Sequence, residues 1–286
     1  MSDIAYRLDR PARLDSCVVF ASPHSGSEYA PQFLAQTVLD GRAIRSSEDA
    51  FVDRLFDMAP VFGAPFLKAR APRAYIDLNR SPDELDPALI LGARKQGHNP
   101  RVASGLGVVP RVVAGGRAIY RGKLTMEEAH RRIERCWRPY HAQLQALLLE
   151  AISAHGTAIL VDCHSMPREA VEGVNRGRGR RADIVLGDRF GAAAGSEVVD
   201  RIEAAFAAEG LVVARNTPFA GAYVTQAYGR PSRNQHAVQV EIDRSLYMDE
   251  NRIAPSADFK AFRDLMGRVV AEIAGAGQAR LPLAAE

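Results

Sequence analysis

Two apolar runs each end in a histidine: Val18-Val19-Phe20-Ala21-Ser22-Pro23-His24 and Ile159-Leu160-Val161-Asp162-Cys163-His164. Continuous runs of this kind read as strands buried on both faces, the habit of parallel sheets. In open α/β sheets, chemistry lies just beyond the carboxyl ends of such strands. Two imidazoles at neighbouring strand ends, joined by one carboxylate, would hold a catalytic zinc ion with a position left for water. The carboxylate is open at this level. Glu28, Glu48, Asp49 and Asp162 all lie near one or other histidine in the chain, and Asp162 could instead orient an imidazole from behind. Glu48 and Asp49 also suit a helix N-terminus, where the dipole favours acidic residues.

Two further groups could act on a substrate. Asp77-Leu78-Asn79-Arg80 follows an apolar segment, and an arginine beside an asparagine can grip a carboxylate through a forked pair of donors. The competing reading is a structural ion pair of Arg80 with Asp77 or a neighbour. In Gln239-Val240-Glu241-Ile242 the strand period puts Gln239 and Glu241 on one face and Val240 and Ile242 on the other. A glutamate facing inward is costly unless paired or functional, and beside an activated water it could serve as general base. Pro139-Tyr140-His141 falls within a helical pattern, which makes His141 a satisfied helix histidine. The loop Asn216–Gly221 could line a pocket, and an arginine of the 176–181 run could reach a substrate.

Strand and helix signals alternate, which argues for an α/β sheet with helices on both faces. Strand-like runs fall near 17–22, 65–68, 74–78, 157–163, 182–186, 211–214 and 236–242, and helical patterns near 47–59, 125–154, 196–209 and 257–275. The long helix opens on a capping box, Thr125 with Glu128, should kink at Pro139 and stops at Gly156. Cap residues place the helix near 196–209 between Ser196 and Gly210. The 81–124 stretch is rich in Gly, Pro and Arg and reads as a long functional loop, and Pro282–Glu286 as a loose tail.

A chain of 286 residues with 47% hydrophobic and 25% charged residues can bury a real core, and its net charge of +3 gives no footing for a nucleic-acid binder. Three scattered cysteines form neither a disulfide framework nor a Cys-rich zinc site. Met1-Ser-Asp-Ile has no signal-peptide character, and no apolar stretch is long enough to span a bilayer. These features predict a cytoplasmic protein with no membrane and no nucleic-acid partner.

Taken in order, these motifs resemble the N-formylglutamate amidohydrolase family. The matching pieces are Pro23-His24-Ser25-Gly26, Asp49 with Val52-Asp53 and Leu55-Phe56-Asp57, Asp77-Leu78-Asn79-Arg80-Ser81, and Arg138-Pro139-Tyr140-His141. Asp162-Cys163-His164-Ser165-Met166, Asn216 with Pro218-Phe219 and Gly221, and Gln239 with Glu241-Ile242 and Leu246-Tyr247-Met248 complete the set. The resemblance implies a single catalytic domain over 1–286 with a three-layer, mixed but mostly parallel sheet like that of the zinc carboxypeptidases and aspartoacylases. It implies a zinc-dependent amidohydrolase that takes a small-molecule N-acyl acidic amino acid, N-formyl-L-glutamate above all. By position, His24, Asp49 and His164 become the metal ligands, Asn79 and Arg80 the substrate-carboxylate site, and Glu241 the general base. The family's wider relatives carry a short His-x-x-Glu pair that is absent here, where Ser27 stands three residues after His24. Two other readings compete: a zinc peptidase or cell-wall-type amidase of similar fold, and a non-catalytic protein that binds acidic amino acids.

Overall fold

The computed structural model describes residues 5–94, 97, 99–172 and 181–276. The start of the chain at 1–4, most of the basic run at 176–181 and the tail at 282–286 lie outside the described residues.

Seven strands form one sheet: β1 (Tyr6–Asp9), β2 (Val18–Ser22), β3 (Phe66–Ala69), β4 (Ala158–Met166), β5 (Ile184–Gly187), β6 (Val213–Arg215) and β7 (Gln235–Asp243), in the order β1-β3-β2-β4-β7-β5-β6. β2, β3, β4 and β7 run parallel at the centre; β1 joins antiparallel at one edge, and β5 joins antiparallel to β7 at the other side. The sheet is thus mixed and mostly parallel, as expected. Both faces are covered. Val18, Phe20, Val161, Val240 and Ile242 pack against the helices Ser196–Ala208 and Phe259–Ala276. Val19, Ala21, Leu160 and Ala237 pack against Leu144, Leu147 and Leu148 of the helix Arg138–His155. Two-sided burial is why these strands read as unbroken apolar runs. Among the described residues no helix is long and apolar enough to cross a membrane.

The long helical pattern resolves into Met126–Arg132, a widened π turn over Ile133–Trp137, and Arg138–His155. Pro139 has no amide hydrogen to offer the preceding turn, and the expected kink takes the form of this wider turn. Gly156, at φ 74°, ends the helix as predicted. Only half of the capping box forms: Thr125 Oγ1 accepts from the Glu128 amide at 3.1 Å, while the Glu128 carboxylate turns to Arg131 and Arg132.

Several expectations are corrected. The predicted helix over 47–59 is broken into a 3-10 turn Ala43–Ser47, an extended Glu48, a single turn Val52–Leu55 and a second 3-10 turn Ala59–Phe62. Its apolar positions are buried as an amphipathic helix would bury them, but the Asp49 amide donates to the His24 carbonyl at 3.0 Å and pulls the chain out of helical geometry. The predicted strand at 74–78 is a turn, closed by the Tyr75 amide on the Pro72 carbonyl at 2.9 Å. Its apolar side chains, Ile76 and Leu78, still enter the core. Ser196 is the first residue of its helix rather than the cap; Gly195 precedes it with no side-chain bond. β1 was not foreseen, because a short edge strand shows only a brief alternation of Tyr6 and Leu8 with Arg7 and Asp9.

Candidate metal centre and active-site cavity

His24 lies two residues beyond β2, in a tight segment that only glycine permits. A Cβ on Gly26 would sit 2.1 Å from the Ala71 carbonyl oxygen. His164 lies within β4, which runs three residues past its predicted end because Cys163–Met166 pair in parallel with Val240–Asp243. The two rings meet edge to face, with centroids 4.7 Å apart. Both are buried, at 3% and 2% exposure.

Each ring is held from behind by a carboxylate. Asp77 Oδ1 lies 2.7 Å from His24 Nε2, and Asp162 Oδ2 lies 3.0 Å from His164 Nε2. Donation from Nε2 fixes the tautomer and turns both Nδ1 lone pairs toward one point. Asp49 Oδ2 faces that same point, 2.9 Å from His164 Nδ1 and 3.4 Å from His24 Nδ1. The three ligand-type atoms lie within 4.8 Å of one another. His24 Nδ1 is buried without a hydrogen-bond partner. Converging acceptors, one of them orphaned, fit a cation of zinc size and donor preference. The electrostatics agree. Burial would push the His164 imidazole down, but Asp162 and Asp49 outweigh it and hold it well above its ordinary value. Burial likewise opposes ionisation of Asp49, yet His164 and His24 hold its carboxyl well below the usual range.

The other carboxylate candidates are engaged elsewhere. Glu48 accepts from Tyr29 Oη at 2.5 Å and from Arg45 at 3.0 Å, and Glu28 pairs with Arg70 at 2.6 Å. Asp49 is set in place by Arg244, whose Nη2 donates to Asp49 Oδ1 at 2.9 Å and to the Glu48 carbonyl at 2.8 Å. That leaves Oδ2 for the histidines.

Glu241 stands opposite His164 in the β4–β7 register and accepts from Gln239 Nε2 at 2.8 Å. Burial, reinforced by the Asp49 charge, pushes its carboxyl up to about 7 against the opposing pull of His164 and Arg73. Next to it opens a cavity of about 420 Å3 whose walls include His24, His164, Glu241 and the four arginines Arg73, Arg80, Arg101 and Arg244. The 81–124 loop supplies Arg101 and Leu106 to this wall, and the 216–221 loop supplies Pro218 to Gly221.

Asn79 and Arg80 are both in the wall, but not as a free pair. Asn79 Oδ1 accepts from the Val224 amide at 2.7 Å, and its Nδ2 donates to Asp162 at 3.3 Å. Arg80 donates to the carbonyls of Leu106 and Asn79, each at 3.0 Å. Asp77, the foreseen ion-pair partner of Arg80, is bonded to His24 and to Arg73 Nε, the latter at 3.1 Å. His141 is satisfied as expected, with Nδ1 2.9 Å from Tyr228 Oη and Nε2 2.9 Å from the Leu78 carbonyl. Arg181, the one described arginine of the basic run, pairs with Asp243 at 2.6 Å rather than with the cavity.

Arg73, Arg101, Arg244 and the ring-holding role of Asp77 were not foreseen from the sequence. The only signal for Arg244 is its place three residues after Glu241, just past the strand end. Arg73 stands four residues before Asp77, just ahead of the segment read as strand.

A family model described as N-formylglutamate amidohydrolase matches residues 16–248, more than half of the chain. The chain is 32% identical over 236 residues to an N-formylglutamate deformylase of Pseudomonas aeruginosa, covering 82% of each. It is 30% identical over 236 residues to one of Pseudomonas putida, again covering 82% of each. Among solved structures, it is similar to the crystal structure of an N-formylglutamate amidohydrolase from Ralstonia eutropha JMP134, with TM-score 0.88, 34% identity and coverage of 96% of this chain and 98% of that one.

Proposed function

The chain belongs to the N-formylglutamate amidohydrolase family, and from that premise we propose that it is a zinc-dependent deformylase converting N-formyl-L-glutamate to formate and L-glutamate. The observation that carries this reading is the convergence of His24 Nδ1, His164 Nδ1 and Asp49 Oδ2 on one point beside Glu241, in a cavity lined by four arginines. Site residues come from positions 24 to 244, so the chain works as one catalytic unit. Its three cysteines are buried and unpaired, in keeping with a reducing cytoplasm.

His24, His164 and Asp49 would hold the zinc ion, which supplies Lewis-acid activation of water and of the amide carbonyl. Asp77 and Asp162, as acceptors at Nε2, would keep the two imidazoles turned with Nδ1 toward the ion. Glu241, held near neutrality by its burial, takes a proton from the attacking water as the oxygen adds to the formyl carbon. Arg73, anchored through Nε on Asp77, neutralises the negative charge that develops on the former carbonyl oxygen. Glu241 then returns the proton to the amide nitrogen, the C–N bond breaks, and formate and glutamate leave. Arg80, braced by the carbonyl of the adjacent Asn79, holds a substrate carboxylate.

The test is a substrate comparison. Formate release should be fastest from N-formyl-L-glutamate, at least roughly tenfold above N-formyl-L-leucine, since a charge-assisted contact is worth about 1.5–3 kcal/mol. Preferred cleavage of peptide or cell-wall amides would move the protein to the peptidase reading. Tight binding of acidic amino acids with no turnover would make it a binding protein.

A further inference from the structure

Among the described residues four guanidinium groups line the cavity, and two of them have an acid: Arg73 pairs with Asp77, and Arg244 with Asp49. Among the same residues the other two have no ion-pair partner. Arg80 is only 5% exposed, yet its hydrogen bonds there are to backbone carbonyls. Arg101 stands exposed at the rim on the short helix Pro100–Ala103, and its side chain forms no hydrogen bond or ion pair among the described residues.

Leu106 ties the Arg80 side chain to the backbone at Arg101. The Leu106 amide donates to the Arg101 carbonyl at 2.8 Å, and the Leu106 carbonyl accepts from Arg80 Nε at 3.0 Å. The loop is further braced at Asn99, whose side chain caps the Arg101 amide at 3.0 Å and donates to Glu84 at 3.2 Å. Two guanidinium groups therefore line one cavity, the outer one carried on a loop whose backbone is braced. Burial, and then the charges of Arg73 and Arg101, lower the pKa of Arg80 despite the opposing field of Asp77. Two guanidinium groups on one cavity, neither in an ion pair among the described residues, are suited to receive an anion.

An N-formyl amino acid brings one carboxylate; glutamate brings a second, farther from the amide. Arg80 lies deep and Arg101 at the rim. Resting on the deformylase reading above, we propose that Arg101 is a specificity-determining residue that pairs with the side-chain carboxylate of the substrate, while Arg80 takes the carboxylate nearer the scissile bond.

The experiment compares N-formyl-L-glutamate with N-formyl-L-glutamine, its neutral counterpart of the same shape, in the wild-type enzyme, Arg101→Ala and Arg101→Lys. The ratio of kcat/KM for the acid over the amide should fall roughly tenfold in Arg101→Ala, carried by KM rather than kcat, and recover in part in Arg101→Lys. A ratio that stays at its wild-type value overturns the assignment. If the wild-type protein deformylates neither compound, the deformylase reading fails by itself. Calorimetric binding of glutarate and of its monoamide then decides the clamp. Glutarate preferred by the wild type and no longer by Arg101→Ala supports it; equal preference in the two proteins, or no binding of glutarate, overturns it.

Discussion

Replacing Asp77 with asparagine changes one atom in a buried carboxylate and should undo the metal centre from behind. Asp77 is 1% exposed and accepts three hydrogen bonds: His24 Nε2 at 2.7 Å, the Asn79 amide at 2.8 Å and Arg73 Nε at 3.1 Å. Burial works against its charge, but His24, Arg73 and Arg80 hold its carboxyl well below the usual range. An asparagine can satisfy only one side. With its oxygen on His24, its amide hydrogens face the Arg73 donor. With its nitrogen on His24, the imidazole must move its own proton to Nδ1, the atom that faces Asp49. Either way one charge-assisted bond of about 1.5–3 kcal/mol is lost. Carboxylates behind metal-binding histidines are typically worth about tenfold to a hundredfold in metal affinity. We therefore expect zinc to bind Asp77→Asn about 10–100 times more weakly, and the metal-free protein to unfold roughly 5 °C lower. Titration of zinc against a chromogenic chelator, with thermal unfolding in parallel, reads both. A folded Asp77→Asn protein with wild-type zinc affinity would refute the reasoning.

Three other expectations follow from single residues. Glu241→Gln should keep its metal within about threefold and lose about 10²–10⁴ in kcat for formate release; near-normal turnover would remove Glu241 from proton transfer. Gly26→Ala should destabilise the fold by about 1–3 kcal/mol, because the new Cβ meets the Ala71 carbonyl at 2.1 Å and one of the two segments must give way. An unchanged melting temperature would show that this close approach does not constrain the His24 segment. Burial lowers His141 from 6.5 to about 4 in the folded protein, so the unfolded chain takes up this proton first as pH falls. Its contribution, about 3 kcal/mol, is complete above pH 6.5 and is lost on acidification toward pH 4. Denaturant unfolding across that range should show the loss and His141→Gln should flatten it; the same slope in both proteins would contradict the assignment.

The central strands were legible because parallel strands buried on both faces leave an unbroken apolar signature, and β2 and β4 each led to a histidine. Period-two alternation likewise put Gln239 and Glu241 on one face of β7, away from Val240 and Ile242. The carboxylate at 49 was not separable from its neighbours. Glu28, Glu48 and Asp49 differ in function only through their partners, nearly all of them distant in the chain: Arg70 for Glu28, Tyr29 and the nearby Arg45 for Glu48, and His24, His164 and Arg244 for Asp49. The same long-range bonds broke the helical pattern over 47–59, since burial needs apolar spacing but Asp49 needs an extended backbone. At 74–78 an apolar run of strand-like composition folded as a turn, and that turn aims Asp77 at His24 and Arg80 at the cavity. Arg73 and Arg244 carried no local signature, because an arginine in a solvated loop and one in a cavity wall look alike without their partners.

The central proposal is that His24, His164 and Asp49, which could hold a metal ion, bind one that formyl-amide hydrolysis needs. The direct measurement is metal content of the purified protein, with formate release from N-formyl-L-glutamate assayed before chelation, after it and after zinc is restored. We expect about one zinc per chain, loss of activity with the metal and its return with zinc. Full activity in metal-free protein, or no formate from the zinc-loaded protein, would contradict it.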